Sequence, residues 1–429
     1  MPRRSSSHRR LFGACVVPTP SRAAARRVAL ARLISYAGTS AAYTALLYVV
    51  YQRTGSSTWV AGTLFLTLGT RGAITPLAGS LGDRLDRRRV MIVSDLLGAM
   101  CFLGLAFARG PALLVALAFL ATLMEAPFFP ASAAAIPNLV GPADLAWANG
   151  TVAFGSSLGY VAGPTIGGLL VAAGGAGIVF ALNAASFVVS AALVATVRGS
   201  FAGLRTDVEE EVHRGTRAGF VFLWNDPVLR RVTSAAAVFA VSVGSILVAE
   251  LPLAAAFGAG ALGYGLLGTS FDFGAIFGAL AAKQVTESRQ APWLVGGSFV
   301  TAAGLAAVAV MPTFPPVLAA MCVSGASDGL VDVVVEVIFQ RRSPDAVRSR
   351  VLAALEAVFL LGLAVAFPFG ALLVGALGPK AAYALGGAGC VASALMMLPL
   401  LRTGPPAPRS PEVDRSPNPG LPFIGDAGP

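Results

Sequence analysis

Apolar stretches of about twenty residues recur along almost the whole chain, and each is long enough to cross a hydrocarbon core about 30 Å thick. A segment inside a bilayer must satisfy its own backbone hydrogen bonds, which allows only helices or a closed barrel. The alternating segments of roughly ten residues that are typical of barrel strands are missing. Only 12% of the residues are charged, which disfavours a soluble fold. We therefore expect an all-α integral membrane protein.

The apolar stretches form two sets of six, separated by a charged stretch. We place the first six spans near 29–51, 58–80, 90–108, 111–135, 145–173 and 176–197. The second six lie near 232–256, 260–282, 292–311, 314–338, 351–374 and 379–401. This division predicts a disordered cytoplasmic tail (1–28), an N-terminal six-helix bundle (29–197), a cytoplasmic linker (198–231), a C-terminal six-helix bundle (232–401) and a Pro-rich cytoplasmic tail (402–429).

Weak internal similarity relates the two bundles. Residues 79–84 align with residues 278–283, and residues 167–171 align with residues 370–374, at equivalent positions of the two sets of spans. Halves of transporters are often such repeats. The sequence therefore predicts two pseudo-symmetric bundles of six transmembrane helices each.

The Lys and Arg residues predict the orientation in the membrane. If both termini are cytoplasmic, the cytoplasmic segments hold 26 of the 31 basic residues and the outer loops hold 3. Basic residues accumulate in the short loops on the cytoplasmic side. We expect a multi-pass protein of a bacterial-type inner membrane with both termini in the cytoplasm.

Several classes of function are disfavoured. The net charge is +10, but a nucleic-acid binder carries its charge as a patch on a polar domain, and this chain has no such domain. The four cysteines contain no CxxC pair and the two histidines are far apart, so we predict no metal and no cofactor. An enzyme would need a nucleophile, a metal cluster or a phosphate loop at a membrane face, and a sensor would need a sizeable soluble module. The sequence offers none of these features, so we disfavour both alternatives.

A charged loop joins the second and third predicted spans. It combines small residues, one acid and several cations: Gly79, Gly82, Asp83, Arg84, Arg87 and Arg88. The cations alone would fit an ordinary cytoplasmic loop. The whole order Gly-x-x-x-Asp-Arg-x-x-Arg-Arg resembles motif A of the major facilitator superfamily, and the resemblance extends over all twelve spans.

In that superfamily, motif A is a latch between the halves that stabilises the outward-facing state. The resemblance implies that Asp83 faces the N-terminus of span eleven, whose helix dipole favours an anion. It also implies that Arg84, Arg87 or Arg88 pairs with a cytoplasmic carboxylate, for which Glu336 and Asp345 are candidates. The second copy of the motif has Ala282 in place of the acid, so only one half would keep the full latch.

Span five contains glycines spaced by four residues, with a proline among them: Gly159, Gly163, Pro164, Gly167 and Gly168. Such a smooth helix face allows a neighbouring helix to pack closely, and Pro164 permits a bend. Plain small-residue packing explains this pattern equally well. The order Gly-x-x-x-Gly-Pro-x-x-Gly-Gly resembles the antiporter motif C of the same superfamily, which implies export.

Ionisable residues inside spans are costly, by roughly 2.5 to 3.5 kcal/mol each at the bilayer centre, and are usually retained for function. Four predicted cavity residues follow: Arg71, Glu125, Asp272 and Asp328. Glu125 lies in the middle of span four, and Asp328 is its counterpart in span ten. A carboxyl group in an apolar environment holds its proton more tightly, so we predict that Glu125 couples transport to protons. A purely structural ion pair with an arginine is the alternative.

Three further acids have less specific expectations. Asp95 and Glu356 are predicted near cytoplasmic ends, as latch partners or solvated residues. Glu250 is predicted near the outer end of span seven, as a gate or simply exposed.

The segment around Glu125 places Phe128 and Phe129 beside an acid, which suits a cationic or amphiphilic molecule, although both rings could also face lipid. Together with Asn149 and the loop after span ten, it resembles the third drug:proton antiporter group, without that group's frequent arginine in span four. The resemblance implies efflux of a small organic molecule by proton antiport, with protons and membrane lipid as the other partners. Proton-coupled uptake is the alternative.

Overall fold

A computed structural model describes residues 22–71, 74, 85–140, 144–197, 201 and 216–402. In these ranges the chain is helical almost throughout, and no residue is in a strand. The described part of the first half contains seven α-helices: α1 (Arg22–Thr54), α2 (Ser57–Leu64), α3 (Arg87–Phe107), α4 (Pro111–Glu125), α5 (Phe128–Leu139), α6 (Leu145–Gly174) and α7 (Ala176–Thr196). The described part of the second half contains seven more: α8 (Thr216–Asn225), α9 (Pro227–Ala256), α10 (Gly260–Ala281), α11 (Gln290–Val308), α12 (Phe314–Arg342), α13 (Asp345–Leu377) and α14 (Pro379–Met397).

Eleven helical segments of the described residues are long and apolar enough to cross a membrane. Helices α4 and α5 together form one of them, Pro111–Leu139. The predicted span near 58–80 overlaps the shorter apolar helix Ser57–Gly69, and its continuation at 72–73 and 75–80 lies outside the described residues. The expectation of an all-α chain is therefore confirmed in the described part.

Two helices begin earlier than the apolar pattern suggests. Helix α1 begins at Arg22 and α9 begins at Pro227. The start of α9 is set by Asp226, whose carboxylate accepts hydrogen bonds from the backbone N–H groups of Val228 (2.8 Å) and Leu229 (3.0 Å). Pro227 occupies the first helical position, where its missing N–H costs nothing. The predicted linker 198–231 also contains the helix α8, which packs against α13.

Tight turns repeat the internal similarity in three dimensions. Gly175 joins α6 to α7 with φ 83° and ψ 165°, and Gly378, 203 positions later, joins α13 to α14 with φ 83° and ψ 170°. Gly55 and Gly258 form a second pair at the same spacing, with φ of 60° and 66°. Positive φ is readily adopted only by glycine. We call the end of the bundle that carries these turns the glycine-turn end.

The two halves contact each other mainly through α6 with α10 and through α2 with α13. At the glycine-turn end, one buried apolar cluster contains Leu47, Val60 and Leu64 of the first half together with many residues of the second. The opposite end has a separate cluster in each half, and these two clusters share no described residue. The described halves are therefore packed together at the glycine-turn end.

Candidate functional site

A cavity of about 550 Å³ lies between the halves. Its charged lining residues are Arg71, Glu125, Glu250, Asp272 and Glu356. Tyrosines from both halves share the wall: Tyr36, Tyr43, Tyr160 and Tyr264. Three of the four predicted cavity residues, Arg71, Glu125 and Asp272, thus lie in one cavity.

Glu125 lies at a break in the fourth span. Helix α4 ends at Glu125, and α5 begins at Phe128 after a turn at Ala126 and Pro127. Pro127 has no N–H to donate to the carbonyl one turn earlier, so the helix cannot continue regularly through it. Interrupted helices in membrane proteins usually line cavities or ion sites. The break places the acid at a helix end in the cavity wall.

Arg71 follows an irregular part of the second span. Residues Phe65–Gly69 form a π-helical turn directly after α2, and such turns are frequent at functional sites. The Arg71 guanidinium lies 5.7 Å from the centre of the Tyr43 ring and interacts electrostatically with Glu125. A cation and an acid therefore share the first half of the cavity wall.

Arg32 of α1 holds α5, the second part of the broken span, in place. The sequence did not predict this role. The side chain is only 5% exposed. Its guanidinium donates hydrogen bonds to Oγ of Ser132 (2.5 and 3.2 Å) and to the carbonyl of Phe129 (3.4 Å). It also lies 4.7 Å from the centre of the Phe129 ring. The arginine within span one was a visible signal, but its partner on α5 was not.

The second half contributes acids to the opposite wall. Glu250 of α9 lines the cavity rather than an exposed surface, and Asp272 of α10 lies near it. Tyr264 stands between them in the chain and is 8% exposed. These groups form an anionic, aromatic surface that faces Arg71 and Glu125.

Asp328 lies elsewhere. It lines a second cavity of about 280 Å³ inside the second half, together with Asp332 and hydroxyl groups such as Thr301. Glu356 is exposed and lines both cavities. The predicted pairing of Glu125 and Asp328 across one central cavity does not appear in the structure.

The glycines of span five pack α6 directly on the backbone of α1. A methyl group at Gly159 would lie 2.7 Å from the carbonyl oxygen of Leu33, and one at Gly167 would lie 2.8 Å from Cα of Ala41. Gly163 likewise faces Ser40 on α1. Only glycine permits these distances, so this face is a close helix contact within the first half.

The other side of the same motif contacts the second half. A methyl group at Gly168 would lie 3.0 Å from Cα of Leu262 in α10. At Pro164 the helix is opened, and Thr269 of α10 bridges the gap. The N–H of Thr165 donates to Oγ1 of Thr269 (3.2 Å), and that hydroxyl donates to the carbonyl of Val161 (3.0 Å). This motif therefore joins the two halves as well as α6 to α1.

Part of the charged loop can be located. Gly79, Gly82, Asp83 and Arg84 lie outside the described residues. Arg87 donates to the carbonyl of Ala134 on α5 (2.9 Å), and Arg88 donates to the carbonyl of Ala195 at the end of α7. Both described arginines thus bind carbonyls of their own half.

Comparison with known proteins identifies the family. A family model described as transmembrane secretion effector matches residues 60–403. The chain belongs to this family. As a secretion effector of the major facilitator superfamily, it is a multi-pass transporter of a small molecule in a bacterial inner membrane, and it is not an enzyme. The predictions of superfamily and fold are confirmed.

Relatives of this secretion effector include named exporters. The multidrug efflux pump Tap of Mycolicibacterium fortuitum is 29% identical over 82% of this chain and 89% of that protein. The enterobactin exporter EntS of Salmonella typhimurium is 28% identical over 88% of this chain and 92% of that protein.

Solved structures show the same fold. A bacterial homologue of the lysosomal transporter Spinster, inward-facing and unoccupied, matches with a TM-score of 0.69 and 17% identity over 88% of this chain and 95% of that chain. The nucleoside transporter NupG matches with a TM-score of 0.71 and 11% identity over 87% of this chain and 98% of that chain.

Proposed function

We propose that this secretion effector exports a small amphiphilic organic cation in exchange for protons that bind to Glu125. The observation that carries the proposal is the cavity between the halves, in which a broken span presents Glu125 opposite Asp272 and Glu250. The relatives named as a multidrug efflux pump and as exporters support the outward direction.

The lining of the cavity supports a cationic substrate. Four acids, Glu125, Glu250, Asp272 and Glu356, face the single lining cation Arg71 among the described residues. Tyrosine and phenylalanine rings fill much of the remaining wall, and aromatic faces attract organic cations. A volume of about 550 Å³ falls within the range of drug-sized binding sites. An aromatic cation satisfies both the charge and the shape of this surface.

Competition at Glu125 supplies the coupling. The ionised carboxylate attracts the substrate cation and Arg71, whereas the protonated form attracts neither strongly. A proton that enters from the outer side therefore releases the cation there, and loss of the proton on the inner side restores binding. Exchange follows because the two ligands do not occupy the site together.

The bundles 29–197 and 232–401 are the bodies that alternate in this proposal, with 198–231 as the linker. Packing between the halves is concentrated at the glycine-turn end. If the termini are cytoplasmic, as the basic residues indicate, the structure corresponds to an inward-facing state. In this proposal the latch, made of Gly79, Gly82, Asp83, Arg84, Arg87 and Arg88, stabilises the outward-facing state from the opposite end of the protein.

Glu125→Gln tests the coupling. In everted vesicles with the wild-type protein we expect accumulation of tetraphenylphosphonium, a lipophilic organic cation, together with proton release from the lumen. Glu125→Gln resembles the protonated form, so it should bind the probe more weakly and lose both the accumulation and the proton release. Asp144→Asn is the matched control, because Asp144 lies outside the cavity and pairs with Arg22 at the surface (2.7 Å). Normal proton exchange in Glu125→Gln would reject the assignment.

Uptake is the second candidate, and the direction of flux distinguishes it. Proton-driven accumulation of the probe in right-side-out vesicles would favour symport and contradict export.

A further inference from the structure

A second buried acid lies behind Glu125. Asp95 of α3 is 1% exposed, which contradicts its predicted place as a solvated residue. Its Oδ2 has no hydrogen-bond partner among the described residues. Asp95 does not line the cavity, so it cannot contact a substrate there.

The surroundings of Asp95 contain no neutralising cation among the described residues. Helix α3 packs against α7, α4 and α5. The sequences of α7 and α5 contain no charged residue, and α4 contains only Glu125. On α3 itself, the arginines occupy the first turn and Cys101 lies beyond Asp95. On α1, which packs on α7, Arg32 is hydrogen-bonded to Ser132 of α5.

The backbone of α3 brings Asp95 and Glu125 together. Gly98 lies on the same face of α3 as Asp95, because residues three apart are neighbours on a helix. A methyl group at Gly98 would lie 3.4 Å from Cγ of Glu125. The two carboxyl groups interact electrostatically, and the Ser190 hydroxyl, which has no other partner in the described part of the chain, is placed to donate to Asp95.

We propose that Asp95 is a second proton-binding carboxyl group of the transport cycle, and that it exchanges protons with the cavity through Glu125. An isolated carboxylate is unfavourable in an apolar interior, so this group must carry a proton for most of the cycle. In the transfer step, the Glu125 acid gives its proton to the Asp95 carboxylate. Glu125 becomes the ionised form that attracts the substrate, and Asp95 becomes the neutral acid. The reverse transfer returns the proton to Glu125.

This inference rests on the proposed proton site at Glu125, and the experiment separates the two. Asp95→Asn removes the second proton-binding group and keeps the shape of the side chain. Ser94→Ala is the matched control, because Ser94 is its buried neighbour on α3 and is not ionisable. Asp95→Glu places a proton-binding carboxyl group at this position again, so it should behave like the wild type.

The readout is the pH-induced infrared difference spectrum of the purified protein in liposomes, in the C=O stretching region of protonated carboxyl groups. We expect Asp95→Asn to lose one carboxyl band that Ser94→Ala retains. When Asp95 is ionised, its charge makes Glu125 hold its proton more tightly, and Asp95→Asn removes that charge. In Asp95→Asn, the pH at which tetraphenylphosphonium transport is half-maximal should therefore fall by about one unit.

An unchanged set of bands and an unchanged pH profile in Asp95→Asn would overturn the inference. If that variant is not folded, Ser190→Ala serves instead, because removal of the donor should shift the frequency of the same band without deleting it. No shift in Ser190→Ala would likewise count against Asp95. Loss of coupling in Glu125→Gln together with a normal Asp95→Asn would refute only this inference and leave the role of Glu125 intact.

Discussion

Gly168→Ala should open the glycine-turn end of the protein. The added methyl would lie 3.0 Å from the carbonyl carbon of Ala261 and 3.0 Å from Cα of Leu262, whereas ordinary contacts begin at 3.4 Å. Both neighbours are backbone atoms of α10, so no side chain can rotate away. The two halves must therefore separate by several tenths of an ångström at this point.

Overpacking of this kind typically costs about 1 to 3 kcal/mol. Because the contact exists only while this end is closed, the whole cost falls on the closed state. A shift of 1.4 kcal/mol changes a two-state ratio about tenfold. We therefore expect Gly168→Ala to raise the open population at least about fivefold.

Labelling of a single cysteine measures this population. Ser57→Cys, in a background without the four natural cysteines, places a thiol where Ser57 is 9% exposed and donates to the carbonyl of Ala371 (3.3 Å). A membrane-impermeant maleimide should react faster after Gly168→Ala, in proportion to the open population.

Two variants of the same helix separate opening from general destabilisation. Gly150→Ala is the matched control, because a methyl there would meet nothing within 4 Å. Gly167→Ala collides with α1 of its own half, so it should lower the melting temperature without faster labelling. Equal labelling rates for folded Gly168→Ala and Gly150→Ala would refute the reasoning.

Three further predictions concern the charged loop, the bend of α6 and the surface ion pair of Asp144. Asp83→Asn should slow labelling of the cysteine described above, since loss of the latch disfavours the outward-facing state; faster labelling would contradict the latch. Thr269→Val should accelerate that labelling, because it removes both hydrogen bonds between the halves at the bend of α6, and an unchanged rate would argue against the bridge. The hydrogen bond from Arg22 (2.7 Å) holds the pKa of Asp144 below its usual range. The stabilisation is therefore present at neutral pH and lost below about pH 4, so the melting temperatures of wild type and Asp144→Asn should converge there and not at higher pH.

The spans could be predicted from the sequence because the bilayer demands long apolar helices. Their ends could not, since the start of α9 depends on the carboxylate of Asp226 and not on hydrophobicity. Irregular backbone also escaped prediction. The π-helical turn Phe65–Gly69 before Arg71 has no sequence signature, although it sets where the arginine lies.

In the candidate site, single charged residues in apolar runs were recognisable, but their partners were not. Glu125 and Arg71 are conspicuous in the sequence, and they line the same cavity. The hydrogen bonds of Arg32 to α5 and the position of Asp95 behind Glu125 depend on how helices pack. Periodicity within one helix carries no information on which neighbour a side chain meets.

Asp328 shows why an internal repeat does not guarantee equivalent sites. It stands 203 positions after Glu125, the same spacing as the matched turn glycines. Span four is interrupted at Pro127, whereas α12 is continuous from Phe314 to Arg342 and has Leu330 at the equivalent position. The interruption leaves Glu125 at a helix end in the central cavity, while the regular helix carries Asp328 to a cavity within its own half. The proline at this position therefore marks an asymmetry between the two halves that the repeat alone could not predict.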